Sequence, residues 1–228
     1  DEVDFLLDTL QPYLAQAVDK RQVKAGFAGL RPLIAAQGKQ TKGLVRDHEV
    51  EHDPLSKLIS LLGGKWTTYR LMARDAVDAA AKILGNTASC STAQHRLVGG
   101  EKYNPAAWQM LSLQFGLPDD IARHLCRNYG SRAFAVAQLI FEEARWGERL
   151  VDGYPFIRAE VVYAARHEMA GTLRDMLARR IRLEILDWAA ARQAALLVSE
   201  RVHLHLLQPG FPRLFTLDAL GVGRVLAA

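Results

Sequence analysis

The stretch Leu58-Ile59-Ser60-Leu61-Leu62-Gly63-Gly64-Lys65-Trp66-Thr67-Thr68-Tyr69-Arg70 constrains this chain more than any other. It reads as a buried strand, a glycine turn and the first turn of a helix. An apolar run broken by one serine suits a strand covered on both faces. Two glycines let the backbone reverse and approach a neighbour closely. Thr67 and Thr68 are placed to cap a helix that runs through Met72, Ala76, Val77, Ala80 and Ile83 to Gly85. A helix N-terminus offers free N–H groups and partial positive charge, and Lys65 stands at its mouth. The corner therefore suits a phosphate or an electron-rich ring. A loop that merely turns the chain is the competing reading.

The segments around this corner predict an α+β fold that is predominantly α. Residues 1–20 read as a helix with Phe5, Leu6, Tyr13 and Leu14 near one face, broken or restarted at Pro12. Val23, Ala25 and Phe27 alternate and suggest a strand within 21–34. Residues 35–42 lack pattern and read as a loop. Residues 43–51 alternate again, with Leu44, Arg46 and His48 on one face and Val45, Asp47 and Glu49 on the other. His52-Asp53-Pro54 marks a turn, so 43–51 and 58–62 form a hairpin. After a linker at 86–92 the spacing predicts helices near 104–115, 118–128, 131–147, 158–169, 171–180 and 184–206. Pro105 and Pro118 suit first helical turns, and Gly116, Gly130 and Gly147 suit helix ends. The line between the two regions falls at 88/89. The tail 214–228 has no assignment.

With 228 residues there is room for one large or two small domains, and the net charge of +4 is too small to imply nucleic acid by itself. Cys90 and Cys126 are far apart, so neither a disulfide framework nor a zinc site follows, and a reducing cytoplasm is the simpler setting. His203 and His205 lack further ligands, and His167-Glu168 lacks the second histidine of a zinc-protease helix, so no metal site is expected. Glu142-Glu143 reads as a solvated face. The Arg174, Arg179, Arg180 and Arg182 cluster reads as the basic side of an amphipathic helix.

Three cations recur at the ends of expected strands: Arg31, Arg46 and Lys65. If those strands are neighbours, the three side chains converge on one dianion. Three separate surface cations remain the alternative. Pro32 restricts the backbone of Arg31 to extended geometry and so fixes its direction.

Ala28-Gly29-Leu30-Arg31-Pro32-Leu33, Arg46-Asp47-His48 and Gly63-Gly64-Lys65-Trp66-Thr67-Thr68-Tyr69-Arg70 together resemble FAD-dependent glycerol-3-phosphate dehydrogenase. The run from Ala159 to Glu168, followed by Thr172 to Arg180, resembles the helical C-terminal domain of that family. The resemblance implies oxidation of sn-glycerol 3-phosphate to dihydroxyacetone phosphate, with the hydride passing to FAD and the electrons to membrane quinone. It implies that Arg31, Arg46 and Lys65 hold the substrate phosphate. It implies that Gly63, Gly64, Lys65, Trp66, Thr67 and Thr68 lie against the flavin. His48, on the strand face of Arg46, is a candidate proton acceptor, although a strand end equally places it in solvent.

This family carries a GxGxxG turn for the FAD pyrophosphate, and this sequence has none. The chain therefore reads as the C-terminal portion of the enzyme. Residues 1–88 complete the FAD/substrate domain and residues 89–228 form an all-α domain. Alone it is expected to bind FAD poorly and not to turn over. Attachment at the inner face of a bacterial cytoplasmic membrane follows from the quinone, and a homodimer remains open. A helical scaffold, or a binding module for protein, anionic lipid or nucleic acid, is the rival reading.

Overall fold

A computed structural model of the chain describes residues 2–29, 47–86 and 88–206, with the backbone alone from 200 onward. Arg31, Arg46, the loop at 35–42 and the tail at 214–228 lie outside the described residues. Contacts divide the chain into two units, residues 28–97 and residues 1–27 together with 98–228. This grouping follows contacts, whereas the line at 88/89 follows a linker.

In the second unit, α1 spans Glu2–Leu10 and ends where a short 3-10 turn, Gln11–Tyr13, takes in Pro12. The helix expected over 1–20 is therefore half as long, because proline lacks the N–H that continues the ladder. The strand expected within 21–34 is absent among the described residues. Val23–Gly29 has no ladder partner, and the Lys24 carbonyl instead accepts the N–H of Trp188 at 3.0 Å.

In the unit 28–97, β1 (His48–His52) and β2 (Ile59–Gly63) pair antiparallel, from His48 opposite Gly63 to His52 opposite Ile59. This is the expected hairpin. Its turn is held by Asp53, whose carboxylate accepts the Leu55 N–H at 2.8 Å and the Ser56 hydroxyl at 2.9 Å. β2 is not covered on both faces, since Leu61 is exposed and its neighbours are only half-buried. A 3-10 turn, Trp66–Thr68, leads into α2 (Tyr69–Ile83), which packs on the hairpin.

The remaining helices are α3 (Ala107–Phe115), α4 (Asp119–Tyr129), α5 (Ala133–Gln138), α6 (Arg158–His167) and α7 (Trp188–Leu206). The single helix expected over 131–147 breaks into α5 and two 3-10 turns, Leu139–Phe141 and Ala144–Gly147. The one expected over 171–180 contains a π-helical turn, Asp175–Arg180. The last begins later than expected, at Trp188. Asp187 accepts the Ala190 N–H at 3.0 Å there and so caps its start. At Gly130, with φ of 57°, a Cβ would collide with the Gly99 carbonyl. Only glycine permits that approach, which brings the Ser131 N–H to 2.8 Å from the same oxygen.

α6 is the centre of this unit, with every residue from Ala159 to Ala165 buried. Val161, Ala164 and Ala165 face a core with the π-helical turn and α7. Ala159, Val162 and Tyr163 face another with α3, α4 and α5. A helix apolar on both sides must lie between layers. Before Gly99, by contrast, no described residue is buried.

Candidate functional site

The glycine corner closes as the spacing requires. Gly63 and Gly64 both have positive φ, 66° and 81°, so the chain leaves β2 through a turn that side-chain-bearing residues resist. A Cβ on Gly64 would lie 2.6 Å from Met72 Sδ and 3.1 Å from His48 Cβ, so the backbone rests directly on both residues. The Gly64 N–H donates to the Asp47 carbonyl at 3.2 Å.

Lys65 is extended, with φ −134° and ψ 147°, and the 3-10 turn follows it. The threonines do not cap as expected. The Thr68 hydroxyl and the Thr68 N–H both donate to the Lys65 carbonyl at 3.0 Å, and no side chain caps either helix start. The N–H groups of Trp66 and Thr67, which open the turn, thus have no intrahelical acceptor. Lys65, Trp66, Thr67, Thr68, Tyr69 and Arg70 are all exposed. The Trp66 ring is 88% exposed and lies 6.0 Å from the Tyr69 ring at 31°. A cation, N–H groups without an intrahelical acceptor and an exposed aromatic surface suit an anionic or electron-rich planar ligand.

His48 is neither solvated nor free. Its side chain is 9% exposed, and its Nε2 lies 2.8 Å from Asp75 Oδ2 on α2. Asp75 Oδ1 accepts from Arg74 Nε at 2.8 Å, and Arg74 Nη2 lies 2.7 Å from it. The Arg74 guanidinium, and then His48, hold the Asp75 carboxyl below its ordinary range. Sequence reasoning missed Arg74 and Asp75. The spacing that carries them is helical: Asp75 lies three residues after Met72, on the side of α2 that meets the hairpin.

Lys65 and the residues from Gly63 to Thr68 are thus brought to one exposed corner, while Arg31 and Arg46 lie outside the described residues. Among the described residues, no group of acidic, histidine or cysteine side chains is arranged to hold a metal ion. Three of the four arginines in the basic cluster of the helical unit meet carboxylates. Arg179 meets Asp175 at 2.7 Å, Arg180 meets Glu168 at 3.7 Å and Arg174 meets Glu184 at 4.0 Å. Glu142 likewise pairs with Arg166 at 2.9 Å.

Residues 90–206 match the family described as the C-terminal domain of alpha-glycerophosphate oxidase. A probable mitochondrial glycerol-3-phosphate dehydrogenase of Dictyostelium discoideum is 42% identical over 197 residues, covering 82% of this chain and 31% of that protein. The mitochondrial glycerol-3-phosphate dehydrogenase of Homo sapiens is 38% identical over 202 residues, covering 85% of this chain and 28% of that protein. The crystal structure of the glycerol-3-phosphate dehydrogenase from Bacillus halodurans complexed with FAD superposes with a TM-score of 0.61 at 27% identity. It covers 89% of this chain and 42% of that one. The chain thus spans about a third of the length of the curated relatives it matches.

Proposed function

Since this chain belongs to the family of the C-terminal domain of alpha-glycerophosphate oxidase, we propose that it forms the C-terminal portion of an FAD-dependent glycerol-3-phosphate dehydrogenase. The enzyme oxidises sn-glycerol 3-phosphate to dihydroxyacetone phosphate. The observation that carries this reading is the glycine corner, which presents Lys65 and the unengaged N–H groups of Trp66 and Thr67 on one exposed surface.

The residues present fit one edge of a flavin and not its pyrophosphate. The corner supplies N–H donors, a lysine and a helix start, all of which favour negative charge at a ring edge. Gly63, Gly64, Lys65, Trp66, Thr67 and Thr68 would hold FAD there. FAD, when bound, supplies the hydride acceptor. Lys65 binds the substrate phosphate as a point charge, together with Arg31 and Arg46. His48 is held by Asp75, and its Nδ1 is buried, 3.3 Å from Asp47 Oδ1 and without a hydrogen bond, which favours positioning over proton transfer.

Residues 1–88 belong, in this proposal, to the FAD/substrate domain. No described residue before Gly99 is buried, as expected of half a domain whose core lies in the other half. The helical region from 89 onward acts as a brace. Several of its arginines, among them Arg149, Arg166 and Arg179, pair with carboxylates, which supports bracing over nucleic-acid binding. The proposal extends to membrane quinone as electron acceptor, peripheral attachment at the inner face of the cytoplasmic membrane, and a homodimer. No described helix is long and apolar enough to cross a membrane.

The test is a chimera in which this chain replaces the matching part of the Bacillus halodurans enzyme. The chimera should carry flavin and oxidise glycerol 3-phosphate with dye or quinone as acceptor. Lys65→Ala should raise KM roughly 10-fold or more with a smaller change in kcat. A folded, flavin-loaded chimera without this activity overturns the proposal. The 228-residue chain alone should show neither flavin absorbance nor dye-linked turnover.

A further inference from the structure

We propose that Asp75 is a positioning residue, which fixes the glycine corner and therefore Lys65 through its hydrogen bond to His48. The inference rests on the reading of that corner as part of the substrate and flavin site.

His48 lies directly opposite Gly63 in the hairpin register. Its Cβ is one of the atoms against which Gly64 packs. The preceding residue, Asp47, accepts the Gly64 N–H on its carbonyl at 3.2 Å and the His48 N–H on its carboxylate at 2.9 Å. Asp47 and His48 together therefore grip the corner from the β1 side. The His48 ring carries that grip across to α2 by the 2.8 Å contact between Nε2 and Asp75. A carboxylate only accepts, so Nε2 bears the proton. Nδ1 is buried and makes no hydrogen bond, with Asp47 Oδ1 3.3 Å away, so the bond that ties the ring to α2 runs through Nε2. Arg74 occupies the other oxygen of Asp75 and stops the carboxylate from turning away.

Met72 of α2 also packs on Gly64, but this packing is thin. No described residue of the unit 28–97 is buried, and β1, β2 and α2 share no enclosed core. Among the described residues, the polar side-chain link between the hairpin and α2 is the one from His48 to Asp75. Lys65 follows Gly64 immediately, so its backbone direction depends on how the corner is held.

Two measurements test this. In the 228-residue chain, nitrogen NMR should show His48 protonated on Nε2. Asp75→Ala should abolish that preference, shift the Lys65 amide and speed hydrogen exchange of the Gly64 N–H at least tenfold. Asp78→Ala, on an exposed position of the same helix, should change none of these. In the flavin-loaded chimera, Asp75→Asn should raise the KM for glycerol 3-phosphate several-fold with kcat nearly unchanged, and Asp75→Glu should recover most of the loss. Unaltered Gly64 and Lys65 signals in Asp75→Ala overturn the inference. So does an Asp75→Asn chimera that loses flavin content with KM unmoved. A chimera inactive before any substitution removes the functional reading instead, and the NMR arm then still decides whether Asp75 positions the corner.

Discussion

At the scale of the residue, the strongest demands fall on Gly64 and Asp75. Gly64 combines a positive φ with close contacts to Met72 and His48. Gly64→Ala adds backbone strain of about 1 kcal/mol, and Met72 must move besides. The expected outcome is a hairpin loosened by about 1–2 kcal/mol, read as faster exchange of the amides opposite His48, with α6 unaffected. The glycine pair was legible in the sequence because its constraint is local: two adjacent residues after an apolar run, before a helix pattern. Asp75 was not legible. Its role exists only because α2 folds back onto β1, bringing together residues 27 positions apart.

At the scale of the element, two helix starts show what ties the helical unit together. Glu160, 1% exposed, accepts from Ile157 N–H at 2.8 Å, one half of a capping box at the start of α6. It also meets His124 Nε2 at 2.8 Å and the Tyr129 hydroxyl at 3.1 Å. Burial, and then the Glu160 charge, push the Tyr129 hydroxyl far up. Glu160→Ala strands three donors in the core and should cost about 3–5 kcal/mol in urea unfolding, Glu160→Gln clearly less. α7 starts at Asp187, which accepts from the Ala190 N–H and from the Tyr154 hydroxyl at 2.7 Å, with Lys24 Nζ at 3.4 Å. The Ala190 N–H, the Tyr154 hydroxyl and Lys24, in that order, lower its carboxyl to about 2. A depressed carboxyl stabilises the fold above its unfolded value, near 3.8, and that contribution is lost as pH falls towards 2. Thermal melts across this window should show the loss in the parent chain, and Asp187→Asn should reduce it, with other depressed carboxyls such as Asp75 and Asp120 supplying the rest. The helices at 107–115 and 119–129 were legible from their prolines, glycines and period. The breaks inside 131–147 and the π-helical turn were not, because apolar spacing records which side faces the core and not how tightly the backbone winds.

At the scale of the whole molecule, burial divides the chain more sharply than composition does. Described residues up to 98 expose apolar side chains such as Phe5, Leu55, Leu58, Trp66 and Val77, while the inner face of α4 and nearly all of α6 are buried. Hydrogen exchange should follow this division. Amides of β1, β2 and α2 should exchange orders of magnitude faster than those of α4 and α6, because opening them exposes almost no new apolar surface. Comparable protection in both units of the isolated chain would contradict this account. By itself the sequence determined the glycine corner, the hairpin, the predominance of helix and the resemblance that pointed to flavin and glycerol phosphate. Each rests on short-range spacing or on a contiguous motif. Only the tertiary structure decided that Lys24 bonds to the start of α7 in place of the expected strand, that Thr68 turns back to Lys65 without capping, and that Asp75 takes hold of His48. The bonds of Lys24 and Asp75 depend on which distant group the fold brings up, and Thr68 takes one of two local roles that its sequence allows equally.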